Sequence, residues 1–397
     1  GTLEVAATRL TAATNFKEEL IMGRMNGKIA VVTGARSEYG LLRWVIDEIH
    51  HATELQLQLI VTGGHLSPEQ GLTYRCIEED GYDIDAKVDM LLSSDCASGI
   101  AKSMGMCSIG MSDAFLHLQP DMIVVLGDRY ELLPIVGTAL VMRIPIAHIS
   151  GGEGAIDNEV RNAVTMMSTL HFPGTQTSAA RIGRMIGTMK NVFVVGETNL
   201  DNFIRLPNLS RIELADSLGI DADKPWILMT YHPVTKESCE KNLLDVQTVL
   251  DVLQHEYADY EIIITRSNAD IYGSNINQLL VRYVESHSNF HLYASLGQLR
   301  YVSILSQLYC MVGNSSSGIY ESGYWHLPTL NIGHRQDGRF MTSNIICCEN
   351  DRASIQEAFH YMQTVEYKKA LTYIDNPYGD GNASKRIVEQ IKQYFNS

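Results

Sequence analysis

The sequence has no excess of basic residues and no long apolar run. Its 397 residues include 31 lysines and arginines against 46 aspartates and glutamates, which gives a formal net charge of −15. A basic surface of the kind that binds nucleic acid is therefore not indicated, and an anionic ligand would need locally placed arginines and backbone amides. No apolar stretch approaches the ~18 residues that span a bilayer, so a membrane-spanning helix is not predicted.

Cysteine pairing motifs and several familiar catalytic signatures are also missing. The seven cysteines are odd in number and irregularly spaced, and no C-x-x-C pair occurs. This pattern favours free thiols in a reducing compartment, so a cytoplasmic location is predicted. The sequence contains no G-x-x-x-x-G-K-[ST], G-x-S-x-G or H-E-x-x-H pattern, which argues against three common classes of hydrolase. The histidines show no metal-ligand spacing with the cysteines either.

Length and composition predict two domains behind a short leader. Chains longer than roughly 250–300 residues usually divide, and 45% hydrophobic with 19% charged residues is ordinary for a globular enzyme. Residues 1–26 lack the compact apolar core of a signal peptide and are interpreted as a leader or an added segment. We expect a first domain over residues 27–205 and a second over 206–375. A C-terminal helix over 376–397 is expected to cross back to the first domain.

Short β-branched runs alternate with amphipathic stretches along the whole chain. This alternation predicts parallel sheets with crossover helices, in which ligands bind at the carboxyl ends of the strands. The stretch Val160–Leu170 is predicted as one helix. The predicted strands are Ile29–Thr33, Leu57–Thr62, Met122–Leu126, Ile146–Ile149, Val192–Val195, Trp226–Thr230, Glu261–Thr265, Cys310–Gly313 and Thr329–Ile332.

Two loops at strand ends suit a phosphorylated ligand. TGARSEYG over residues 33–40 opens a helix whose first amides are free for an anion, although an ordinary strand-to-helix turn explains this segment equally well. GNSSSG over residues 313–318 gives a stronger signal. One serine suffices to cap a helix, whereas three serines between glycines supply a row of donors for two phosphates. Glu321, early in the following helix, is placed to accept hydrogen bonds from a ribose diol.

Charged residues gather at the ends of other predicted strands. Arg335 follows the ninth strand, where a guanidinium is a bidentate partner for phosphate. Asp128 and Arg129 follow the third strand, and their pairing alone is equally well explained as a structural ion pair. Titratable groups gathered at neighbouring strand ends indicate a binding or catalytic site. A further set lies within fourteen positions of the chain and consists of His148, Glu153, Asp157 and Arg161.

These motifs, in this order, resemble the UDP-N-acetylglucosamine 2-epimerase family, and the hydrolysing branch is the closer match. The resemblance runs from about Lys28 to about Arg339 and implies a GT-B-like α/β fold, two Rossmann-like doubly wound domains with a cleft between them for a UDP-sugar. The segments that carry it are TGARSEYG (33–40), VTGGH (61–65), LGDR (126–129), HISGGE (148–153), HPVT (232–235), GNSSSGIYE (313–321) and GHRQ (333–336).

The resemblance also implies roles for particular residues. In the family, UDP leaves by elimination across C1 and C2 to give a 2-acetamidoglucal, and water then adds to give the 2-epimer sugar. This chemistry needs a base, donors for the diphosphate and an acid–base pair for hydration, but no cofactor and no metal. Asp128 and Asp157 match catalytic carboxylates, and His65, Arg129 and Arg161 match substrate-binding positions. The implied UDP-binding residues are Arg36, His232, Asn268, Ser315, Ser316, Glu321 and Arg335.

The chain departs from the family motif around the fourth predicted strand end. Ser150 stands where the family has a catalytic glutamate, the loop after Gly152 is shorter, and Asn162 and Met166 replace the usual histidine and lysine. Because serine is not a carboxylate base at neutral pH, Glu153 joins Asp128 and Asp157 as a candidate catalytic residue. Ser150 is expected to contact the substrate instead.

We therefore predict a hydrolysing UDP-N-acetylglucosamine 2-epimerase that releases UDP and N-acetylmannosamine, as in sialic acid synthesis. The alternative within the class is the same reaction on UDP-2,4-diacetamido-2,4,6-trideoxyglucose, which the serine at position 150 favours. A UDP-dependent GT-B glycosyltransferase and a silent UDP-sugar-binding protein are alternatives of another class. The expected partners are a small-molecule UDP-sugar and further copies of the chain in a homo-oligomer (dimer or tetramer), with no nucleic acid and no membrane.

Overall fold

The computed structural model describes residues 27–92, 96–154, 158–267 and 271–396. They divide into a first unit, which ends at Val195 and resumes at Ser384, and a second unit over Gly196–Ala383. The predicted leader lies outside the described residues, and so do the predicted site residues Asp157 and Asn268. Within these ranges, no helix has both the length and the apolar character needed to cross a membrane.

The first unit is built on a six-stranded parallel sheet in the order β3-β2-β1-β4-β5-β6. Its strands are β1 (Gly27–Thr33), β2 (Leu55–Thr62), β3 (Ala86–Val88), β4 (Met122–Leu126), β5 (Ile146–Ile149) and β6 (Leu170–Phe172). Its helices are α1 (Arg36–His51), α2 (Arg75–Glu79), α3 (Ala97–Leu118), α4 (Leu132–Val141), α5 (Asn158–Met167) and α6 (Gln176–Ile186). A short 3₁₀ helix covers Gly63–Leu66.

Strand β1 shows why this sheet is covered on both faces. Ile29 and Val31 belong to the apolar core that contains α1, whereas Ala30 and Val32 belong to the core that contains α3 and α4. All four side chains are buried. A parallel strand with crossover helices on both sides has this continuous apolar character, which is why the run is easy to recognise in the sequence.

The second unit repeats the arrangement with the order β12-β11-β10-β7-β8-β9, all pairs parallel. Its strands are β7 (Trp226–Thr230), β8 (Glu261–Thr265), β9 (Phe290–Tyr293), β10 (Cys310–Gly313), β11 (Thr329–Ile332) and β12 (Ile345–Cys348). Its helices are α7 (Asn202–Arg205), α8 (Arg211–Leu218), α9 (Cys239–Glu256), α10 (Gly273–Ser286), α11 (Gly297–Leu305), α12 (Ser317–Tyr320), α13 (Arg352–Met362) and α14 (Val365–Ala370). Two 3₁₀ helices cover Thr198–Asp201 and Ser322–Trp325.

The last helix, α15 (Ala383–Asn396), packs against the first unit. Ile387, Val388 and Ile391 are buried in the core that also contains β1 and β2. The helix begins at residue 383 rather than 376, where the sequence analysis starts it. The physical reason lies in the preceding turn, because Gly379 and Gly381 adopt φ values of 108° and 84° that no helix accommodates.

The strand order reverses between β1 and β4 in one sheet and between β7 and β10 in the other. Loops that leave such a pair of strands diverge, so a crevice opens at the carboxyl ends of the strands. The polar loops singled out after β1, β4, β7 and β10 lie at these two reversal points. The predicted α/β class with doubly wound parallel sheets is therefore confirmed.

The secondary-structure prediction is wrong at two places between residues 168 and 195. Helix α5 ends at Met167, and Leu170, the last residue of the predicted helix, is instead the first residue of β6. Of the predicted strand Val192–Val195, only Val192 is paired, in an isolated bridge to His171. Periodicity cannot separate a short apolar run in a helix from one in a strand, and here the pairing with β5 decides. The sequence analysis also missed the short strands β3, β9 and β12, which have one neighbour each.

Gly313 allows the close contact between β10 and β7. Its φ is 136°, and a Cβ at this position would lie 2.0 Å from the carbonyl oxygen of Thr230. Gly313→Ala should therefore lower the free energy of unfolding by at least about 2 kcal/mol, measured by urea unfolding. Gly105→Ala is the control, since a Cβ there meets nothing within 4 Å and alanine at this exposed position should stabilise helix α3 by about 0.5–1 kcal/mol relative to glycine. An unchanged midpoint for Gly313→Ala would contradict the prediction.

Candidate functional site

The carboxyl edge of the first sheet carries most of the residues predicted for catalysis and substrate binding. Asp128 and Arg129 follow β4, and Ser150 and Glu153 follow β5. Arg36 is the first residue of α1 and is exposed. Because β1, β4 and β5 are adjacent strands, the loops that hold these residues are neighbours at one edge.

Arg161, on α5, joins two of the predicted carboxylates. Its guanidinium donates to a carboxylate oxygen of Asp128, and to Oε2 of Glu153 over 2.7 Å. The Arg161 side chain is 8% exposed, against 24% for Asp128 and 17% for Glu153. Burial lowers the pKa of the guanidinium, but Glu153 and Asp128 more than offset this and hold it above its ordinary value. Two carboxylates are thus oriented by one mostly buried cation.

The turn after β5 is fixed by its backbone. Ser150 adopts a φ of 59°, in the left-handed region that is uncommon for a residue with a side chain. Its N–H donates to the carbonyl of Phe172 over 3.0 Å, and its own carbonyl accepts from Arg161 over 3.2 Å. At Gly152 a Cβ would lie 2.4 Å from the carbonyl oxygen of Ser178. Backbone hydrogen bonds of Ser150 and the close packing of Gly152 therefore fix the shape of this turn.

A second group of charges lies beside the loop after β1. Arg129 donates to Oε1 of Glu131 over 2.6 Å, and Glu131 is 3% exposed. Glu38, in the first turn of α1, accepts from the N–H of Gly34 over 2.7 Å. Burial raises the pKa of Glu38 to about 7, against the opposing effects of Gly34 and Arg129. The sequence analysis missed both glutamates, although each stands two positions after an arginine that it had singled out.

His65 lies behind this edge rather than on it. The side chain is completely buried, with Nε2 at 3.0 Å from Oγ1 of Thr33 and Nδ1 at 2.9 Å from Oγ1 of Thr73. Burial lowers the pKa of His65 to about 4, so the imidazole is neutral at pH 7. These contacts tie the short helix Gly63–Leu66 to β1, and the predicted contact with substrate stays a prediction.

In the second unit, Asn314 holds together the loops after three strands. Its side-chain amide exchanges two hydrogen bonds with the backbone of His232, over 2.7 and 2.8 Å. The backbone carbonyl oxygen of Asn314 accepts hydrogen bonds from the side chains of Arg335, over 3.2 Å, and Gln336, over 2.7 Å. The predicted residues His232 and Arg335 therefore meet the serine loop at one point of the sheet edge. The sequence analysis quoted Asn314 and Gln336 within motifs but gave neither a role.

The serine row follows directly after Asn314. Ser316 occupies the N-cap position of α12 but makes no capping hydrogen bond through its side chain. Oγ of Ser315 lies 3.0 Å from Oγ of Ser317, and all three serines are partly exposed. Helix capping, which explains many serines at such positions, does not account for this row.

Glu321 is held from two sides. Nδ2 of Asn199 donates to Oε1 over 2.7 Å, and the hydroxyl of Tyr301 donates to Oε2. Burial raises the pKa of Glu321, while these two hydrogen bonds oppose the rise. The sequence analysis missed both partners because Asn199 lies 122 positions from Glu321 and Tyr301 lies 20 positions away.

Each of these two edges, taken by itself, carries donors that suit a phosphorylated organic ligand. They are guanidinium groups, hydroxyls and backbone amides, the groups that bind phosphate oxygens most often. Among the residues that the structure describes, no three histidine, cysteine, aspartate or glutamate side chains are grouped so that they could hold a metal ion.

Comparison with known proteins gives matches over most of the chain. A family profile described as UDP-N-acetylglucosamine 2-epimerase matches residues 47–392. The chain is 38% identical to the GDP/UDP-N,N'-diacetylbacillosamine 2-epimerase (hydrolyzing) of Campylobacter jejuni, over 86% of this chain and 89% of that protein. It is 31% identical to the UDP-N,N'-diacetylbacillosamine 2-epimerase (hydrolyzing) of Legionella pneumophila, over 92% and 95%.

A solved structure matches the fold. The crystal structure of UDP-GlcNAc 2-epimerase from Neisseria meningitidis bound to UDP-GlcNAc aligns with a TM-score of 0.77, over 92% of this chain and 100% of that one. At 19% identity this likeness concerns the fold alone. It agrees with the predicted GT-B-like class of two Rossmann-like domains.

The pH dependence of stability should report the buried carboxyl of Glu38. Its folded pKa lies above the ordinary 4.5, so the folded state keeps a proton that the unfolded chain releases, and stability falls as pH rises from about 4.5 to about 7. Glu38→Gln removes this loss, so the variant should gain up to about 3 kcal/mol relative to wild type between pH 4.5 and pH 8. Urea unfolding across this range measures the gain, and parallel stability curves for the two proteins would refute it.

Proposed function

The chain belongs to the UDP-N-acetylglucosamine 2-epimerase family, and from this premise we propose that it is a hydrolysing 2-epimerase of UDP-2,4-diacetamido-2,4,6-trideoxyglucose. That compound is UDP-N,N'-diacetylbacillosamine, the substrate named for both relatives described above. These relatives support the alternative of the sequence analysis better than its main prediction. UDP-N-acetylglucosamine, which names the family, is the second candidate. A cytoplasmic location and assembly into a homo-oligomer stay predictions from the sequence.

We assign UDP binding to the carboxyl edge of the second sheet. Arg335 is held by Asn314 beside Ser315 and Ser316, so a guanidinium and hydroxyls lie together at the end of two neighbouring strands. Charge-assisted bonds from such groups to a diphosphate are among the stronger hydrogen bonds in proteins. Glu321 accepts from the ribose diol in this proposal. The remaining predicted contacts to UDP are those of Arg36, His232 and Asn268.

We assign the chemistry on the sugar to the cluster of Asp128, Glu153 and Arg161, and this cluster is the observation that carries the proposal. Asp128 takes the proton from C2 while the bond from C1 to UDP breaks, which leaves a C1–C2 double bond. Arg161 orients the carboxylate, so that no reorganisation is needed when the proton moves. Arg129 and His65 keep their predicted roles in contacting the substrate.

Hydration of the double bond completes the reaction. Water adds its hydroxyl group at C1. Glu153 or Asp157 donates a proton to C2 on the face opposite to the one from which Asp128 removed it, and this gives the 2-epimer sugar. The proton that the water loses restores this acid, and Asp128 releases the proton that it took from C2 to solvent before the next turnover. One water is consumed and one UDP is released in each turnover, and the residues of this chain supply every proton transfer.

Ser150 supports the choice of a diacetamido sugar. The family motif has a glutamate at this position, whereas this chain presents a shorter and uncharged side chain on a turn fixed by its backbone. A sugar with a second acetamido group needs both room and a neutral hydrogen-bond partner. Because serine supplies both, we assign Ser150 to contact with the sugar rather than to proton transfer.

A panel of UDP-sugars without any acceptor tests the function. In D₂O, UDP-N,N'-diacetylbacillosamine should yield free UDP and the 2-epimer sugar with deuterium at C2, read by NMR, because C2 is reprotonated from solvent-exchanged groups. Its kcat/KM should exceed that of UDP-N-acetylglucosamine by at least about tenfold. The reverse preference would favour the second candidate. UDP release that requires an acceptor sugar would indicate a glycosyltransferase, and binding without release would indicate a silent UDP-sugar-binding protein.

Two variants separate catalysis from UDP binding. Asp128→Asn keeps the shape of the side chain but loses the proton acceptor, so sugar release should fall at least about 10²-fold while UDP affinity is retained. Arg335→Ala should instead weaken UDP binding by about 2–4 kcal/mol, because the diphosphate loses a charged donor. Calorimetry with UDP and NMR of sugar release measure both. Near-normal turnover of Asp128→Asn would remove it from catalysis, and a matched loss of affinity would make it an ion-pair partner only.

A further inference from the structure

His148 is a completely buried histidine at the carboxyl end of β5. Its Nε2 lies 2.8 Å from the carbonyl oxygen of Gly127, and its Nδ1 lies 3.2 Å from Oγ1 of Thr165. Gly127 immediately precedes Asp128, and Thr165 stands one helical turn after Arg161 on α5. One imidazole therefore contacts both the loop that carries Asp128 and the helix that carries Arg161.

These contacts define the protonation state of the ring. A backbone carbonyl only accepts hydrogen bonds, so Nε2 must carry the proton, and Nδ1 accepts from the hydroxyl of Thr165. Burial lowers the pKa of His148 to about 3, against the opposing effect of the hydrogen bond to Gly127 and with smaller lowering contributions from Arg161 and His171. The imidazole is therefore neutral throughout the range in which an enzyme of this kind would work.

The backbone closes tightly over this arrangement. At Gly151 a Cβ would lie 3.0 Å from Nδ1 of His148 and 3.1 Å from Oγ1 of Thr165. Real Cβ atoms are seldom so close to their neighbours, so glycine is the residue that lets the turn after β5 lie on the bond between His148 and Thr165. The imidazole has little freedom to change partners in this packing.

We propose that His148 is a positioning residue whose neutral Nε2–H imidazole holds the Asp128 loop and helix α5 at the separation that the Asp128–Arg161 pair requires. Its catalytic effect rests on the proposed function, because the oriented carboxylate is the one assigned to the C2 proton. The tautomer and the contacts do not rest on it. A displacement of about 1 Å in such a group can lower a rate by about 10²-fold, which is the scale on which the imidazole acts.

The neighbouring strand offers a matched control. His171 on β6 is the register partner of His148, is 2% exposed, and has a pKa that burial lowers to about 4. Within the described part of the chain, its Nδ1 has no hydrogen-bond partner, and its side chain does not bond Gly127 or Thr165. The two histidines thus share burial and place in the sheet but differ in the contact under test.

Phenylalanine at each position removes the ring nitrogens and keeps an aromatic ring. His148→Phe should lower kcat for sugar release by about 30–100-fold, with KM and UDP affinity within about twofold of wild type. His171→Phe should leave kcat within about twofold. His148→Gln should recover part of the rate, because its amide restores a donor for the carbonyl of Gly127. Circular dichroism and thermal unfolding establish that each variant is folded, so a loss of rate is measured per folded molecule.

Thr165→Val is the milder variant if His148→Phe fails to fold. It removes only the hydroxyl that donates to Nδ1 and should lower kcat by about 3–10-fold. Combined with His148→Phe it should cause no additional loss, since both changes break the same connection. Additive losses, an unchanged kcat in a folded His148→Phe, or an equal loss in His171→Phe would each overturn the proposal.

A measurement without substrate tests the geometry separately. In protein labelled with ¹⁵N-histidine, the two-bond ¹H–¹⁵N pattern of His148 should show a neutral Nε2–H tautomer from pH 5 to pH 8. The Nδ1–H tautomer or an imidazolium in this range would overturn the positioning role. If the wild-type protein has this tautomer but releases no sugar from any UDP-sugar, the proposed function fails while the arrangement of Gly127, His148 and Thr165 stands.

Discussion

Parallel strands in a doubly wound order bring all strand carboxyl ends to one edge of each sheet, and every feature of the candidate site depends on this constraint. Because the strands are buried on both faces, polar side chains with a chemical role lie at the carboxyl ends of the strands and in the loops and helices that follow them. Gly127, directly after β4, and Gly313, the last residue of β10, adopt positive φ at the two reversal points and turn the chain there. The short strands thus end in loops whose first residues are already fixed by the sheet.

Charge pairing then decides which of these loop residues keep a defined orientation. The chain carries a net charge of −15, so a bound anion has to rely on a few placed cations rather than on the overall field. Arg161 is oriented by Asp128 and Glu153, and Arg129 by Glu131. Such groups need little rearrangement when charge develops on a ligand, which is the property that favours catalysis over simple binding. A chain with an acidic composition is therefore still suited to an anionic ligand, because a few oriented arginines supply the positive charge.

The candidate site was only partly accessible to sequence reasoning. The resemblance and the strand-end positions singled out Asp128 as the leading acid–base candidate, and they singled out Arg335 as a phosphate partner at the end of the strand that follows the serine loop. Sequence reasoning gave no role to Glu38 or Glu131, because the local sequence around a glutamate does not show whether its side chain is solvated or buried. The pKa of Glu38 is raised by its burial, and burial is a property of the packed fold.

What the sequence by itself determined is local: the alternation of apolar runs and amphipathic stretches, the loops at the strand ends, and the motifs that mark the family. Local spacing suffices for these because a buried strand and its following turn impose their composition on adjacent residues. The tertiary structure alone decided which distant residues meet. Arg161 lies 33 positions from Asp128, and the imidazole of His148 reaches Gly127 across 21 positions. Contacts of this kind depend on strand order and helix packing, which no short window of the sequence contains.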